Sequence, residues 1–262
     1  MDLKLTGRTA LVTGGSKGIG LGVGRWFAAE GCNVRLIARS QQQLDEAAAS
    51  IRQSSGVDVQ TLAADLSAPA ARQQVVTAFP DIDILVNNAG GIPGGTLDDV
   101  DDAAWRAGWD LKVFGYVDLT RAYLKRMRER GRGVIINIIG AAGESLPATY
   151  IAGCVGNASV MAFTRSIGTK SPDYGVRIVG VNPGPVETDR VEVLGRKRAQ
   201  RELGDANRWR EYFKDMPFGR PASVDEVASL VVFLASDLAG YTSGVIYTVD
   251  GGNSLRRNGM SP

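Results

Sequence analysis

Tyr150 is the clearest candidate for acid–base chemistry in this chain, and it opens the stretch YIAGCVGNASVMAFTRSIG. If this stretch is a helix, Cys154 and Asn157 follow the tyrosine on the same face. A phenol has an ordinary pKa of about 10, so it exchanges protons poorly at neutral pH unless its surroundings lower that pKa. The side chain one turn after Tyr150 is a thiol and not a cation, so the group that tunes the phenol has to come from elsewhere.

The chain contains no histidine. This absence excludes Ser-His-Asp catalysis, Cys-His nucleophiles and the common zinc sites, and we expect no metal site. Proton transfer has to use tyrosine, lysine, cysteine or a carboxyl group with a shifted pKa. Cys154 could act as a thiol acid or nucleophile. Its neighbours Gly153 and Gly156 favour the alternative, a small packing residue where a neighbouring helix needs room.

A second cluster, TGGSKGIG at residues 13–20, has the composition of a phosphate-binding turn. Glycines let the backbone approach a pyrophosphate closely, and the free N–H groups at the start of the next helix favour negative charge. The turn lies between the first predicted strand and the first predicted helix, which is the context such a turn requires. The predicted cofactor contacts here are Gly14, Ser16, Lys17, Gly18, Ile19 and Gly20.

These residues are positioned by a regular alternation of strands and helices. Continuous apolar runs that end in glycine, asparagine, aspartate or proline are typical of strands buried on both faces, as in a parallel sheet. The runs are TALVTGG, NVRLIAR, VQTLAAD, DILVNNAG, GVIINIIG, VRIVGVNPG and GVIYTVDGG. Helix-like stretches at 18–30, 42–53, 70–79, 103–130, 149–170 and 224–236 separate them. We predict one doubly wound α/β domain of the Rossmann type over residues 1–262.

Residues 187–221 are the exception, because they separate two predicted strands by more than one helix requires. Insertions at the carboxyl ends of strands in such sheets usually lie over the ligand crevice. We predict a substrate lid here, with Trp209 and its aromatic neighbours Tyr212 and Phe213 available to line it. The alternative is an ordinary packing excursion.

Four motifs in this order resemble those of the short-chain dehydrogenase/reductase family. They are the TGxxxGxG turn, NNAG at residues 87–90, Tyr150 at the start of a long helix and NPGPVET at residues 182–188. The resemblance covers essentially the whole chain. It implies a seven-stranded parallel sheet with helices on both faces, and a homo-oligomer, a tetramer or a dimer.

The resemblance also implies further contacts to a nicotinamide cofactor, made by residues at the ends of the third, fourth and sixth strands and by the tyrosine. These are Asp65, Leu66, Asn88, Ala89, Gly90, Tyr150, Pro183, Gly184, Val186 and Thr188.

The end of the second predicted strand decides between the two nicotinamide cofactors. A carboxylate there would hold the ribose 2′-hydroxyl of NAD and repel a 2′-phosphate. This chain has Arg39 and Ser40 instead, and Lys17 lies in the glycine turn. Two cations and a hydroxyl suit a phosphate, so we predict NADP(H) in preference to NAD(H). The alternative is that Lys17 and Arg39 face solvent.

The catalytic positions depart from the family pattern. Members use a serine and a tyrosine at the substrate oxygen, a lysine four residues after the tyrosine, and an asparagine on the preceding long helix. Here Tyr150 is retained, but the lysine position is Cys154, the serine position is Gly140 and the asparagine position is Lys112.

In a first hypothesis the protein is an active enzyme in which Lys112 replaces the missing cation. An ammonium within about 4–6 Å of the phenol lowers its pKa by about 1–3 units. The alternative is that Lys112 pairs with Asp110 or Asp118, or is solvated.

In a second hypothesis the enzyme is active without a replacement cation, because the charge of oxidised NADP itself favours the phenolate. Asn157 would then hold the ribose hydroxyls or a bridging water. Ser145 or Thr149 would contact the substrate oxygen. A third hypothesis is a nucleotide-binding protein with little or no turnover, which senses NADP(H) or binds a partner. We favour an active oxidoreductase.

The residues around the predicted site favour an apolar substrate. Ile139, with its neighbour Ile138, and Gly140 make the region under the nicotinamide apolar, and Trp209 belongs to the aromatic lid. We therefore expect a small hydrophobic or aromatic alcohol or carbonyl compound. The arginines of the lid leave room for an acidic or CoA-linked substrate.

The overall composition gives no support for a nucleic-acid-binding, membrane-spanning or disulfide-rich protein. A formal charge of +2 gives no support for nucleic-acid binding. No apolar run approaches a length of about 18 residues, which a membrane-spanning helix requires. The first residues do not resemble a signal peptide. Two cysteines are too few for a disulfide framework, so we expect a cytoplasmic protein.

Overall fold

Seven parallel strands form the centre of the molecule in the computed structural model, which describes residues 2–256. The strands are β1 Thr9–Thr13, β2 Asn33–Ala38, β3 Val59–Ala63, β4 Ile84–Asn87, β5 Gly133–Ile138, β6 Val176–Pro183 and β7 Ile246–Val249. Their order in the sheet is β3-β2-β1-β4-β5-β6-β7. The predicted doubly wound sheet is confirmed. The direction of winding reverses between β1 and β4, where sheets of this kind bind ligands at the carboxyl ends of the strands.

Helices connect the strands. They are α1 Gly18–Ala29, α2 Gln41–Ser54, α3 Pro69–Ala78, α4 Asp102–Trp109, α5 Gly115–Arg130, α6 Ala142–Ser145, α7 Ile151–Gly168, α8 Asp189–Leu203 and α9 Val224–Ala235. The single helix predicted over 103–130 is interrupted, because a π-helical turn, Asp110–Phe114, joins α4 to α5. Within residues 2–256, no helix is both long and apolar enough to cross a membrane.

Alternate residues of β1 belong to two different cores, which lie on opposite faces of the sheet. Val12 packs with Val23 of α1 and Val231 of α9. Leu11 packs with Leu119 of α5 and Val75 of α3. Burial on both faces explains why the strand sequences are continuously apolar rather than alternating.

The insertion after β6 leaves and re-enters the fold at one point. The backbone N–H of Glu187 donates to the carbonyl of Ala222 at 2.8 Å, and the N–H of Ala222 donates to the carbonyl of Pro185 at 3.0 Å. Between these bonds the chain forms α8 and the short helical segments Ala206–Phe213 and Pro217–Gly219. The insertion is therefore a loop with a closed base at the carboxyl edge of the sheet.

Candidate active site

The glycine turn after β1 is shaped by backbone that a side chain would block. Gly14 has φ +65° and Gly18 has φ +54°, values that favour glycine. A Cβ added to Gly20 would lie 2.2 Å from the carbonyl oxygen of Gly14. The Asn88 amide clamps the turn by donating to the carbonyls of Thr13 at 2.9 Å and Gly14 at 3.3 Å. The turn therefore depends on both predicted motifs, TGxxxGxG and NNAG.

The start of α1 can receive an anion. Among the described residues, no side chain caps α1, and its first turn carries no acidic residue. The first N–H groups of a helix lack intrahelical partners, and the helix dipole favours negative charge beside them. Together with the narrow glycine turn, this fits a dinucleotide pyrophosphate held against the backbone.

We expect Gly20→Ala to weaken NADPH binding at least about tenfold, because the added methyl group collides with the turn that the pyrophosphate approaches. NADPH fluorescence titration measures this change. Gly56→Ala is the matched control, since an added Cβ there would meet nothing within 4 Å. Equal NADPH affinity in the two variants would contradict this role for the turn.

The residues predicted to select the cofactor lie at one edge of the sheet. Thr13 at the end of β1 pairs in register with Ile37 of β2, so Lys17 and Arg39 follow neighbouring strand ends. Both side chains are exposed. Ser40 caps α2, because its hydroxyl accepts from the backbone N–H of Gln43 at 3.3 Å.

Asp65, one of the predicted cofactor contacts, lies after β3 near Arg39. Its pKa is lowered mainly by the backbone N–H and the hydroxyl of Ser67, which both donate to Oδ1, and in smaller part by the Arg39 guanidinium. The carboxylate is therefore charged at neutral pH. The neighbouring Leu66 is buried, and its carbonyl accepts from Arg72 at 2.8 Å.

The other predicted cofactor residues lie around the same edge. The backbone N–H of Ala89 donates to the Thr13 hydroxyl at 2.9 Å, and that of Gly184 donates to the carbonyl of Val249 at 3.0 Å. Thr188 faces the glycine turn, since its Cγ2 is 3.4 Å from the place of a Cβ on Gly18. The Ser16 hydroxyl donates to Gln43 at 3.5 Å. Ile19 lies in the first turn of α1, and Pro183 ends β6. Val186 is buried and pairs with Ala222, where the insertion after β6 returns to the sheet.

Tyr150 directly precedes α7 and is held by the loop after β4. The N–H of Gly95 donates to the carbonyl of Thr149 at 2.9 Å, and the N–H of Ile151 donates to the carbonyl of Gly95 at 3.2 Å. The phenol ring lies over Gly153, where an added Cβ would be 2.1 Å from Cε1 and Cζ. The ring takes this position because residue 153 has no side chain.

Lys112 reaches the carboxyl ends of two neighbouring strands. Its alkyl chain passes Gly90 after β4, where an added Cβ would be 3.1 Å from Cδ. Its ammonium donates to the carbonyl of Ile139, which follows β5. The structure therefore brings a cation to the end of the sheet that carries Gly90 and Gly140.

The π-helical turn that carries Lys112 is stabilised by its own backbone hydrogen bond and by Arg72 of α3. The N–H of Gly115 bonds the carbonyl of Asp110, five residues back. The buried Arg72 guanidinium donates to the same carbonyl at 3.2 Å and forms an ion pair with Asp118 at 2.9 Å. π-Helical turns are rare and often occur at functional sites. Arg72 thus supports the backbone that presents Lys112.

Cys154 is only 1% exposed, and its thiol donates to the carbonyl of Pro147 at 3.3 Å. Burial raises the pKa of this thiol, so it is uncharged at neutral pH. A Cβ on Gly156 would lie 2.8 Å from Ile92 Cδ1. These contacts favour the packing interpretation of Cys154 over a chemical one.

Gly140 lies directly against the Asn157 carboxamide, whose Nδ2 is 2.9 Å from the place of a Cβ on Gly140. Gly140 follows β5, and its N–H donates to Asn182 Oδ1 at 3.3 Å. The preceding Ile139 is buried. Of the two loop hydroxyls considered above, that of Ser145 donates to the carbonyl of Ala141 at 3.4 Å, whereas Thr149 is exposed.

Trp209, predicted to line the substrate site, packs within the insertion that follows β6. Its ring meets Phe213 edge-on at 5.3 Å between centroids and lies against Gly195, where an added Cβ would be 2.9 Å away. The side chain is buried. Trp209 therefore holds α8 to the segment that follows it.

Sequence reasoning missed three supporting residues. Arg72 and Gly153 have no local signal, because their roles depend on groups that the fold brings to them. Asn182 belongs to a recognised motif. Its amide donates to Glu144 at 3.1 Å while its oxygen holds Gly140, and that pairing could not be read from the motif.

Comparisons with known proteins agree with the fold. A family model described as short chain dehydrogenase matches residues 8–199. Galactitol 2-dehydrogenase (L-tagatose-forming) of Cereibacter sphaeroides is 33% identical over 258 residues, which are 96% of this chain and 97% of that protein.

Solved structures match over nearly the whole chain. L-Sorbose reductase from Gluconobacter frateurii, complexed with NADPH and L-sorbose, has a TM-score of 0.90 and 33% identity, covering 98% of this chain and 100% of that one. NAD+-bound xylitol dehydrogenase has a TM-score of 0.86 and 25% identity, covering 95% and 100%. The matches thus include proteins with either nicotinamide cofactor.

Proposed function

Because this chain belongs to the short-chain dehydrogenase/reductase family, we propose that it is an NADP(H)-dependent oxidoreductase that interconverts an alcohol and a carbonyl group on a small, apolar substrate. The observation that carries the proposal is the position of Lys112. Its ammonium lies at the carbonyl of Ile139, at the catalytic end of a sheet whose nucleotide turn is intact.

The residues divide the chemistry between them. When bound, the nicotinamide supplies a hydride to the carbonyl carbon or accepts one from the alcohol carbon. The Tyr150 hydroxyl gives a proton to the substrate oxygen in reduction and takes it back in oxidation. Lys112 favours the phenolate by its positive charge, which is the role of the lysine that Cys154 replaces.

Two exposed leucines support an apolar substrate. Leu97 is 70% exposed and Leu146 is 61% exposed. They lie on the two loops that the hydrogen bonds between Gly95 and residues 149 and 151 hold side by side next to Tyr150. An apolar mouth of this kind suits a ketone or a secondary alcohol with a hydrocarbon body.

The lid is part of the proposal. The pKa of Asp99, on the loop after β4, is lowered mainly by hydrogen bonds from Thr96 and in smaller part by the Arg201 guanidinium of α8. The end of α8 therefore lies near the loop that holds Tyr150. An insertion that begins after β6 and reaches the loop after β4 covers the crevice between β6 and that loop.

The direct test is a substrate screen with purified protein. NADPH consumption is followed with cyclohexanone, acetophenone, ethyl acetoacetate and L-sorbose, and NADP+ reduction is followed with the corresponding alcohols. We expect turnover of the apolar ketones to exceed that of L-sorbose. Turnover of L-sorbose alone would overturn the apolar substrate class, and no turnover with tightly bound NADPH would overturn the enzymatic proposal.

We expect Arg39→Asp to reverse the cofactor preference. Removing a charge-assisted contact to the 2′-phosphate weakens NADPH binding about 10- to 100-fold, and a carboxylate there can hold the 2′-hydroxyl of NADH. Fluorescence titration with both cofactors measures the ratio of affinities. Arg25→Asp, on the outside of α1, makes the same charge change away from the turn. An equal loss of NADPH affinity in both variants would mean that Arg39 acts only through net charge.

A nucleotide-binding protein with little turnover is the second candidate function. It is favoured by the packing of the Tyr150 ring over Gly153 and by the uncharged thiol at position 154. It predicts micromolar or tighter NADPH binding together with a Tyr150 phenol whose pKa stays near about 10 in the complex.

A further inference from the structure

The space beside Gly140 is filled by the side chain of Asn157. A Cβ added to Gly140 would lie 2.9 Å from Asn157 Nδ2, 3.6 Å from Cγ and 3.8 Å from Oδ1. The carboxamide thus stands where a side chain at position 140 would begin. Gly140 also has φ +140°, a backbone conformation that side chains other than hydrogen rarely adopt. Residues 140 and 157 therefore form a complementary pair, a missing side chain and an amide that replaces it.

The Asn157 carboxamide is buried without a full set of partners. The residue is 2% exposed, and within residues 2–256 no group bonds its Oδ1. Burying an amide oxygen without a hydrogen bond is unfavourable, and because this atom is an acceptor it needs a donor such as a bound water. The donor end of the same carboxamide, Nδ2, is the atom that lies 2.9 Å from the place of a Cβ on Gly140. The unsatisfied amide lies on the same face of α7 as Tyr150, two turns further along the helix.

Packing holds this amide in place. A Cβ on Gly143 would be 2.9 Å from the Cβ of Asn157, so the turn after β5 closes directly onto α7. The N–H of Gly140 is held by Asn182, which is in turn bonded to Glu144. A group fixed on both sides in this way is preorganised, as hydrogen-bond donors in active sites need to be.

We propose that the Asn157 amide donates a hydrogen bond to the oxygen of the substrate, in place of a hydroxyl at position 140. The inference rests on the proposed oxidoreductase function and names the group that positions the oxygen to which Tyr150 gives its proton. An amide N–H polarises the carbonyl and stabilises the negative charge that develops on its oxygen as the hydride arrives.

The test is Asn157→Leu, which keeps the approximate shape of the side chain and removes its hydrogen bonds. Removing one such donor lowers kcat about 100-fold, and we expect this loss with the best ketone of the screen. NADPH affinity, measured by fluorescence titration, should stay unchanged. Ser159→Ala, on the same helix, is the control for disturbance of α7, and Asn157→Ala is the second variant if the leucine does not fold.

A spectroscopic measurement separates hydrogen bonding from packing. The same ketone, labelled with ¹³C at its carbonyl, is bound to the NADP+ complex, and its C=O stretch is recorded by infrared difference spectroscopy. We expect the stretch to lie at lower frequency in the wild type than in Asn157→Leu. An equal frequency, or kcat within about threefold of wild type, would overturn the role of Asn157. If the wild type turns over no carbonyl compound, the oxidoreductase proposal fails instead.

Discussion

Replacing Tyr150 with phenylalanine is expected to lower kcat about 10²- to 10⁴-fold, the contribution that a positioned general acid–base group makes. The phenyl ring keeps the packing over Gly153 and loses only the hydroxyl, so the fold should be unaffected. NADPH affinity should fall much less than kcat, because the pyrophosphate turn is separate from the phenol and stays intact. Steady-state kinetics and NADPH fluorescence titration on the same preparations measure both quantities.

An ultraviolet difference titration of the NADP+ complex gives the reason for the loss. Subtracting the Tyr150→Phe spectrum from that of the wild type isolates one phenol among the seven tyrosines. A pKa well below about 10 would show that the site is prepared for proton transfer despite the thiol at 154. A pKa at or above about 10, together with full activity of Tyr150→Phe, would refute the catalytic role of the tyrosine.

Replacing Lys112 with methionine is expected to move the pH profile of kcat/KM to higher pH. In the proposed mechanism the ammonium favours the phenolate, so its removal is expected to raise the pKa of Tyr150 by about 1–3 units. At neutral pH, activity that requires the phenolate falls by about 10- to 1000-fold, and raising the pH restores it. The measurement is alcohol oxidation over a range of pH, in which the phenolate acts as the base.

Two further variants show whether the position of the charge matters. Lys125→Met, at an exposed position of α5, removes the same charge from the protein surface and should leave the pH profile in place. Lys112→Asn combined with Cys154→Lys restores the asparagine and the lysine of the family pattern and should return the profile toward neutral pH. An unchanged profile in Lys112→Met would refute the relocated cation.

The glycine turn and the strands could be predicted from local sequence. A glycine turn is specified by its own residues, because a positive φ at Gly14 or Gly18 is a property of one residue and its neighbours. The strands were visible because burial on both faces demands continuous apolar runs. The outer ends of the six predicted helical stretches lie within two residues of the observed ends. Helix ends are predictable because caps and periodicity are short-range features of the sequence.

The catalytic end was less predictable, because its contacts join segments that are far apart in the chain. Lys112 and the carbonyl that it meets are 27 residues apart, and a π-helical turn that the amphipathic pattern did not predict sets their approach. The prediction that Trp209 lines the substrate site rests on composition, and an aromatic pattern does not say which side of an element faces a ligand; in the structure the Trp209 ring packs against Phe213.

The sequence by itself thus determined the fold class and the glycine turn after β1. Only the tertiary structure decided where two distant side chains lie: the ammonium of Lys112 at the carbonyl of Ile139, and the amide of Asn157 in the space beside Gly140. The physical reason is that a glycine turn or a buried strand is specified by its own residues and their neighbours in the chain. The position of a side-chain group such as the Lys112 ammonium or the Asn157 amide depends on the length of the side chain and on the packing of distant elements, which only the folded chain defines.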